Sequence, residues 1–206
     1  MILVTGTDTG VGKTFVTVSL IRELRSNGRN VCAFKIVETG CEPICEDAEK
    51  ISSVCGKEIK PVYSFKTPVA PSVAAEIEGK EISIEKIKKE MVSFAAEYEN
   101  VLFEGAGGIL VPITGEYTFL DLAKDLDMEV LIVALNKLGV INHTLLTVKV
   151  CQCENVRVKG VILNHRGMVD RSAETNYESL KKLLDVPVFL FSETEDAVEI
   201  SSWLCP

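Results

Sequence analysis

Residues 2–14 read ILVTGTDTGVGKT, an apolar run followed by a turn of small residues that ends in Lys13 and Thr14. A strand that ends in such a turn before a helix leaves backbone N–H groups at the positive end of that helix. Gly12 lets the backbone approach a phosphate group closely, Lys13 supplies a positive charge, and the Thr14 hydroxyl is suited to bind Mg²⁺. The stretch therefore predicts a loop that binds nucleotide phosphates.

This loop is a variant of the usual pattern. The usual spacing would put the first glycine at position 7, where the chain has Thr7 preceded by Gly6. The alternative interpretation is a glycine turn that opens a helix with a surface lysine. The order of apolar run, loop and helical segment favours phosphate binding.

Short apolar runs alternate with helical patterns along the rest of the chain. The runs cover residues 31–36, 101–103, 130–134, 160–163 and 188–190, and helical period covers residues 15–25, 84–98, 143–153 and 177–184. Runs that are apolar on both faces are typical of parallel strands covered by helices. We therefore expect a single α/β domain over residues 1–206 with the P-loop NTPase fold, a mostly parallel sheet with helices on both faces.

The net charge, the apolar runs and the cysteines indicate which partners and which cellular location to expect. The net charge is −8 and the basic residues are dispersed, which argues against a nucleic-acid partner. The chain has no apolar run of membrane-spanning length and begins with a strand rather than a signal segment, so we expect a cytoplasmic protein with no membrane partner. The seven cysteines are scattered and are expected to be reduced, with a metal shared by Cys41 and Cys45 as the less favoured alternative.

Polar residues follow several of the apolar runs, where ligands bind in a parallel sheet. Lys35 closes the second run, Thr39 follows in a turn, and Glu104 closes the third run before a glycine-rich turn. A carboxylate at that place is suited to hold Mg²⁺ opposite Thr14. Taken alone, Lys35 is also compatible with a side chain that reaches solvent, and Asp47 with a helix acid favoured by the dipole.

The segments after the fourth and fifth runs, residues 130–134 and 160–163, carry further candidates. Asn136 and Lys137 superficially match the guanine-binding motif of GTPases, but Gly139 stands where that motif requires an aspartate. Asn142 is instead expected to cap a helix whose free N–H groups suit a carboxylate. Asn164 offers a donor and an acceptor that suit an adenine edge. Each feature is also compatible with an ordinary turn or a capped helix.

Together these segments resemble the dethiobiotin synthetase family. The resemblance rests on residues 4–9, 11–14, 34–35, 39–40, 70–71, 104–108, 138–139 and 141–143. The TGTDT segment at residues 5–9 and the EGAGG segment at residues 104–108 are its most specific parts. The resemblance extends to Asn164 and is weak beyond it.

The resemblance implies a homodimeric enzyme that converts 7,8-diaminononanoate, CO₂ and ATP into dethiobiotin, ADP and phosphate with Mg²⁺. It implies a carbamate and a carbamic-phosphoric anhydride as intermediates. The implied catalytic residues are Lys13, Lys35 and Thr9, and the implied metal ligands are Thr14, Asp47 and Glu104. The implied nucleotide-binding residues are Asp8, Thr9, Gly10, Val11, Gly12, Lys13, Thr14, Phe15, Glu104 and Asn164. The implied substrate-binding residues are Lys35, Thr39, Gly107, Gly139, Val140, Ile141 and Asn142, the last four near the subunit interface.

The chain departs from the family pattern at several positions. Ile36 stands where many members have proline, Ser72 where they have histidine, and Gly10 where they often have glutamate. Residues 189–193 lack a Gly-x-Ile/Leu-Pro segment that often contacts the nucleotide base in the family. The resemblance therefore carries over no role for that histidine and allows a relaxed base specificity.

Three other functions fit part of the sequence. A nucleotide-switched partition or membrane-positioning ATPase shares the fold, but its signature lysine is replaced here by Asp8, and residues 200–206 do not form a basic amphipathic tail. An amidotransferase-type ligase of cobalamin biosynthesis would require a further glutaminase domain. A binding module that has lost activity is the third alternative.

Overall fold

A computed structural model describes residues 1–166, 170–192 and 196–205 of the chain. Its strands are β1 (Ile2–Gly6), β2 (Val31–Lys35), β3 (Val37–Thr39), β4 (Tyr63–Phe65), β5 (Asn100–Gly108), β6 (Pro112–Thr114), β7 (Tyr117–Thr118), β8 (Glu129–Leu135), β9 (Val158–Asn164) and β10 (Val188–Phe191). Its helices are α1 (Lys13–Ser26), α2 (Glu46–Cys55), α3 (Pro71–Ile77), α4 (Ile84–Ala95), α5 (Phe119–Asp125), α6 (Val140–Cys153), α7 (Ala173–Leu183) and α8 (Asp196–Leu204).

The central sheet confirms the predicted fold class. Within the described ranges it has six strands in the order β10-β9-β8-β1-β5-β2, and all of the pairings are parallel. Every residue of β1 and β2 is buried, so helices and loops cover both faces of the sheet at its functional end. The short pairs β3-β4 and β6-β7 form two small additional sheets.

The register of the central sheet explains how residues far apart in sequence meet. Lys35 at the end of β2 lies directly beside Glu104 of β5, and Glu104 lies beside Val4 of β1 on its other side. Because neighbouring side chains in register point to the same face, the lysine and the carboxylate lie on one side of the sheet. The phosphate loop begins at the end of β1, at the same edge.

Several predicted boundaries are wrong by a few residues. The helix expected over residues 84–98 ends at Ala95, and the helix expected from residue 143 begins at Val140. The third strand, expected over residues 101–103, continues through the glycine-rich turn to Gly108. The helix expected from residue 177 begins at Ala173. The elements α3, α5 and α8 and the four short strands had no counterpart in the sequence interpretation.

The cysteines correct the expectation of reduced thiols. Cys32 pairs with Cys55, and Cys41 pairs with Cys45, as disulfides. The first bond ties α2 to β2, and the second closes the loop that leads into α2. Cys41 and Cys45 are bonded to each other in this state, but together with Glu38 they place potential ligand atoms within 4.8 Å of one another, so the alternative of a shared metal stays a prediction.

Thiol labelling tests this pairing. The unpaired cysteines are Cys151, Cys153 and Cys205, and Cys153 is exposed. Burial raises the pKa of Cys151 to about 11, so its thiol stays protonated and unreactive near neutral pH. We expect iodoacetamide to modify Cys153 in the native protein, and the three unpaired thiols after unfolding without reductant. Mass spectrometry that finds label on any paired cysteine of the unreduced, unfolded protein would contradict the assignment.

No helix in the described part of the chain is long and apolar enough to cross a membrane. The expected cytoplasmic location stays a prediction.

Candidate active site

The phosphate loop, residues 7–12, connects β1 to the first turn of α1. Gly12 precedes the helix with a φ of 93°, and no side chain at the N-cap bonds the first-turn N–H groups. A Cβ atom on Gly12 would lie 2.1 Å from Nδ2 of Asn164. Glycine is therefore required here by the backbone conformation and by the space. The first turn of α1 contains no acidic residue, so the helix end is electrostatically suited to an anion.

A buried ionic cluster lies beside this loop. The Lys35 Nζ atom is 2.7 Å from Oε1 of Glu104 and 2.6 Å from Oδ2 of Asp47. The Thr14 hydroxyl donates to the same Glu104 oxygen at 2.7 Å. Glu104 is completely buried and Lys35 is 3% exposed. One lysine thus joins a carboxylate of the sheet to a carboxylate of α2, next to the first turn of α1.

Lys35 and Asp47 keep their charges. Burial alone would lower the pKa of Lys35, but the charges of Glu104 and Asp47 raise it well above its ordinary value. Burial alone would raise the pKa of Asp47, yet the charge of Lys35 and its hydrogen bond hold that pKa below its ordinary value. Lys35 is therefore a permanent cation in the free protein.

Lys13 is in a different electrostatic state. Burial, followed by the positive charge of Lys35, lowers the pKa of Lys13 to about 8. The Lys13 side chain is 7% exposed. A bound polyphosphate would supply the negative charge that the Lys13 ammonium group lacks in the free protein.

This state predicts a pH dependence of nucleotide binding. If Lys13 binds a nucleotide phosphate, as the sequence predicts, the bound state requires its protonated form, whereas the free protein loses that proton above a pH of about 8. We therefore expect metal-free ATP affinity to fall about tenfold for each pH unit above that value, because binding then takes up a proton. Calorimetry in buffers of different ionisation enthalpy measures this uptake. The Lys13→Arg variant, whose side chain does not titrate in this range, should bind without it.

A cleft of about 730 Å³ opens in front of the cluster. It brings together the predicted residues Thr9, Gly10, Gly12, Lys13, Thr14, Phe15, Lys35, Thr39, Asp47 and Gly107. Its other walls come from Val18, Glu38, Lys50, Pro68, Val69, Ala70, Pro71, Ala106 and Val111. Glu104 does not line the cleft, but it accepts hydrogen bonds from the cleft residues Thr14 and Lys35.

The sequence of this chain is similar to those of known enzymes. The ATP-dependent dethiobiotin synthetase BioD of Aquifex aeolicus is 39% identical over 198 residues, which cover 95% of this chain and 90% of that protein. The enzyme of the same name from Methanococcus vannielii is 41% identical over 190 residues, covering 90% and 87% of the two chains. The chain belongs to the dethiobiotin synthetase family. A family model described as an AAA domain matches residues 1–196 of the synthetase.

Solved structures similar to the synthetase confirm its fold alone. The MinC:MinD cell division complex of Aquifex aeolicus matches with a TM-score of 0.56 at 15% identity, covering 96% of this chain and 85% of that one. A ParA family ATPase from Chlorobium tepidum matches with a TM-score of 0.54 at 13% identity, covering 98% and 90%. These proteins share the fold of this chain, and its sequence relatives identify it as a ligase of the dethiobiotin synthetase family.

The predicted substrate residues of α6 lie outside the cleft of the synthetase. Gly139 has a φ of 90° and precedes the first turn of α6, while Asn142 is exposed and borders a separate surface groove. The predicted N-cap role of Asn142 is wrong, because the helix begins at Val140 and Gly139 occupies the cap position. The left-handed turn at Gly139 starts the helix earlier than the side-chain pattern indicates.

Asn164 lies behind the phosphate loop rather than in the cleft. Its Nδ2 donates to the Val11 carbonyl oxygen at 2.8 Å, while its buried Oδ1 has no hydrogen-bond partner among the described residues. Asp8 is exposed, and its Oδ1 accepts the N–H of Thr9 at 2.7 Å. The departure noted for residues 189–193 includes Glu193, which lies outside the described residues.

Sequence reasoning missed two charged residues that line the cleft, Glu38 and Lys50. Glu38 lies on β3, lines the cleft and is 6% exposed. Burial raises the pKa of its carboxyl, although the N–H groups of Asp47 and Ala48 oppose that shift. The available signal was a carboxylate between the apolar pair Ile36 and Val37 and the predicted site residue Thr39.

Proposed function

We propose that the synthetase converts 7,8-diaminononanoate, CO₂ and ATP into dethiobiotin, ADP and phosphate in three chemical steps. One amine adds to CO₂ and loses a proton, giving a carbamate. A carbamate oxygen attacks the γ-phosphorus of ATP and displaces ADP, giving a carbamic-phosphoric anhydride. The second amine attacks the carbamate carbon, phosphate leaves, and the ureido ring closes.

The buried position of Lys35 beside the phosphate loop is the single observation that carries this proposal. A permanent cation in a cleft that excludes much of the water stabilises an anionic carbamate and the charge that develops on the transferred phosphoryl group. Thr9 and Thr39 line the same cleft and offer hydroxyl groups to the carbamate and the γ-phosphate. Gly107 has a φ of 65°, and a Cβ atom there would lie 2.9 Å from Cγ2 of Val111 and 3.4 Å from Oγ1 of Thr9, so only glycine fits beside the Thr9 hydroxyl. The cleft is therefore suited to hold two anions against one lysine.

In this proposal the first turn of α1 binds the ATP phosphates. The N–H groups from Gly10 to Phe15 surround the β- and γ-phosphates, and Lys13 becomes protonated as they bind. Asp8 and Val11 stabilise the conformation of the loop, because the Asp8 carboxylate accepts the N–H of Thr9 and the Val11 side chain is buried. Asn164 lies outside this cleft, so its unpaired Oδ1 would accept from the exocyclic amine of adenine only if the base extends past the loop.

The residues of the cluster fit a magnesium ion. The Oε2 atom of Glu104 is buried and has no hydrogen-bond partner among the described residues, and oxygen is the ligand that Mg²⁺ prefers. We infer that Thr14, Asp47 and Glu104 would hold the ion. When bound, it would neutralise charge on the phosphoryl oxygens of ATP.

We further propose that the synthetase acts as a homodimer. The Gly139–Asn142 segment lies outside the cleft of its own chain, yet its helix start offers N–H groups suited to the distant carboxylate of the diamine. A partner subunit whose α6 faces the cleft would complete the substrate site. Val140 is buried in the core, so the partly exposed side chain of Ile141 would then contact the aliphatic chain.

The competing partition-ATPase function is disfavoured by position 8. Asp8 occupies the place of the signature lysine of those ATPases and bonds within its own loop. An acid at this place cannot supply a cation to a nucleotide held by a second subunit. The similarity to MinD and ParA structures therefore carries the fold and not their function.

Oxygen-isotope transfer tests the proposed chemistry. If a carbamate oxygen attacks the γ-phosphorus, one oxygen of CO₂ must end in the released phosphate. We expect C¹⁸O₂, added freshly to enzyme, diamine and MgATP, to give phosphate with one heavy oxygen, read by mass spectrometry after a short reaction. Unlabelled phosphate formed together with labelled dethiobiotin would overturn the anhydride intermediate.

A further inference from the structure

Glu38 is a buried carboxylate that the proposed chemistry does not use. It lies on β3 between Lys35 and Thr39 in sequence, and its side chain faces the cleft. A buried carboxylate is costly unless hydrogen bonds satisfy its oxygens. The partners of those oxygens therefore indicate what the residue does.

Both Glu38 oxygens bind the start of α2. Oε1 accepts the backbone N–H of Asp47 at 2.8 Å, and Oε2 accepts the backbone N–H of Ala48 at 3.0 Å. These are first-turn N–H groups, which no earlier carbonyl of the helix can satisfy. The residue at the N-cap position, Cys45, makes no side-chain capping bond. Glu38 therefore caps α2 from a different element.

The two hydrogen bonds from Glu38 hold the first turn of α2 against β3. An ordinary N-cap residue would satisfy the same N–H groups without joining the first turn of α2 to β3. A cap from β3 instead joins the backbone of Asp47 to the segment that carries Lys35. The result is seen in the 2.6 Å contact between Asp47 Oδ2 and Lys35 Nζ.

The first turn of α2 makes such an anchor necessary. It contains Glu46, Asp47 and Glu49, so the segment is strongly acidic and approaches the buried Glu104 carboxylate. Helix N-terminal N–H groups attract carboxylates. The two oxygens of Glu38 hold the N–H groups of Asp47 and Ala48 in one geometry. Without the anchor, the first turn of α2 would be held by the bonds of the Asp47 side chain to Lys35 and Thr14, while the disulfide at Cys55 holds the other end of the helix.

We propose that Glu38 is a positioning residue that sets the place of Asp47 in the magnesium site. It acts through the backbone of α2 and contacts neither the metal nor the substrate. This inference rests on the proposed role of Asp47 as a metal ligand. Residues that orient metal ligands in this way affect metal affinity about tenfold or more when they are replaced.

Calorimetry with an ATP analogue that cannot be hydrolysed tests the proposal. Affinity is measured with and without Mg²⁺, and the ratio of the two values is the gain that the metal provides. In Glu38→Gln one acceptor oxygen becomes an NH₂ group that faces a backbone N–H, so we expect this gain to fall about tenfold with metal-free affinity unchanged. Glu38→Ala should lose more of the gain than Glu38→Gln.

Two comparisons separate positioning from a loss of stability. The Thr118→Ala variant removes the capping box of α5, which lies outside the cleft, and should lower stability without changing the gain from Mg²⁺. Amide hydrogen exchange of residues 46–55 should accelerate in the Glu38 variants and not in Thr118→Ala. In the Asp47→Asn background, adding Glu38→Gln should produce no further loss of the gain.

The outcomes are distinguishable. If Asp47→Asn lowers the gain from Mg²⁺ and Glu38→Gln does not, the positioning role is overturned and the proposed metal site stands. If Asp47→Asn leaves the gain unchanged, both the metal site and the positioning role are wrong. A Glu38→Gln enzyme with an altered KM for the diamine and an unaltered gain would make Glu38 a substrate-binding residue, which also overturns the proposal.

Discussion

The Lys35→Ala variant is expected to lose turnover by about a thousandfold, a loss typical of removing a main charge-stabilising group from an active site. The variant removes the cation that lies between Glu104 and Asp47 at 2.7 and 2.6 Å. Carbamate and γ-phosphate would then meet two carboxylates with no permanent positive charge between them. Product formation in saturating MgATP, measured by mass detection of dethiobiotin, gives the value.

Stability must be measured together with this loss. Removing one partner of a buried ion pair costs about 3–5 kcal/mol of unfolding free energy, because the remaining charge is buried without compensation. The Lys35→Arg variant keeps a cation at this place and should keep more of the stability, but its larger planar group cannot occupy the same position. We expect Lys35→Arg to fold and still turn over slowly. A folded Lys35→Ala enzyme with full activity would contradict the assigned role.

The Lys13→Ala variant is expected to lose ATP binding and, with it, turnover by about a hundredfold or more. Lys13 is nearly buried at the start of α1, so no other side chain can move into its place without disturbing the loop. Because the free protein already depresses the pKa of Lys13, removing the ammonium group should not destabilise the fold. Calorimetric ATP titration and thermal unfolding measure the two effects separately.

Lys50 provides the matched control for this variant. It lines the same cleft, but its side chain is 57% exposed and pairs with Glu46 on the surface of α2. Lys50→Ala removes one positive charge from the same cleft and should change ATP affinity only slightly, since exposed charges are screened. Equal losses in the two variants would show that net charge, rather than the position of Lys13, determines binding.

The parts of the site that lie at strand ends were predictable from the sequence. Apolar runs locate strands, and parallel strands end at one edge, so Lys35 and Glu104 had to lie near the phosphate loop. Their register on neighbouring strands confirms this interpretation. The residue roles themselves stay predictions until variants are measured.

The approach of α2 to the cluster was not predictable in the same way. Asp47 reaches Lys35 because Glu38 caps the helix from another strand, and such a contact between elements leaves no periodic pattern in the sequence. Helix starts are also poorly defined by side chains when a glycine in the left-handed region precedes them, as Gly139 does before α6. Disulfide partners are set by folding rather than by spacing, so Cys32 and Cys55 could not be paired in advance.

Coupling of ATP use to product formation tests the central claim most directly. Purified protein is incubated with MgATP, with and without bicarbonate and 7,8-diaminononanoate, and phosphate and dethiobiotin are measured together. The account predicts equimolar phosphate and dethiobiotin when every component is present, and neither product when the diamine is left out. Slow phosphate release that is indifferent to the diamine, with no dethiobiotin formed, would contradict it.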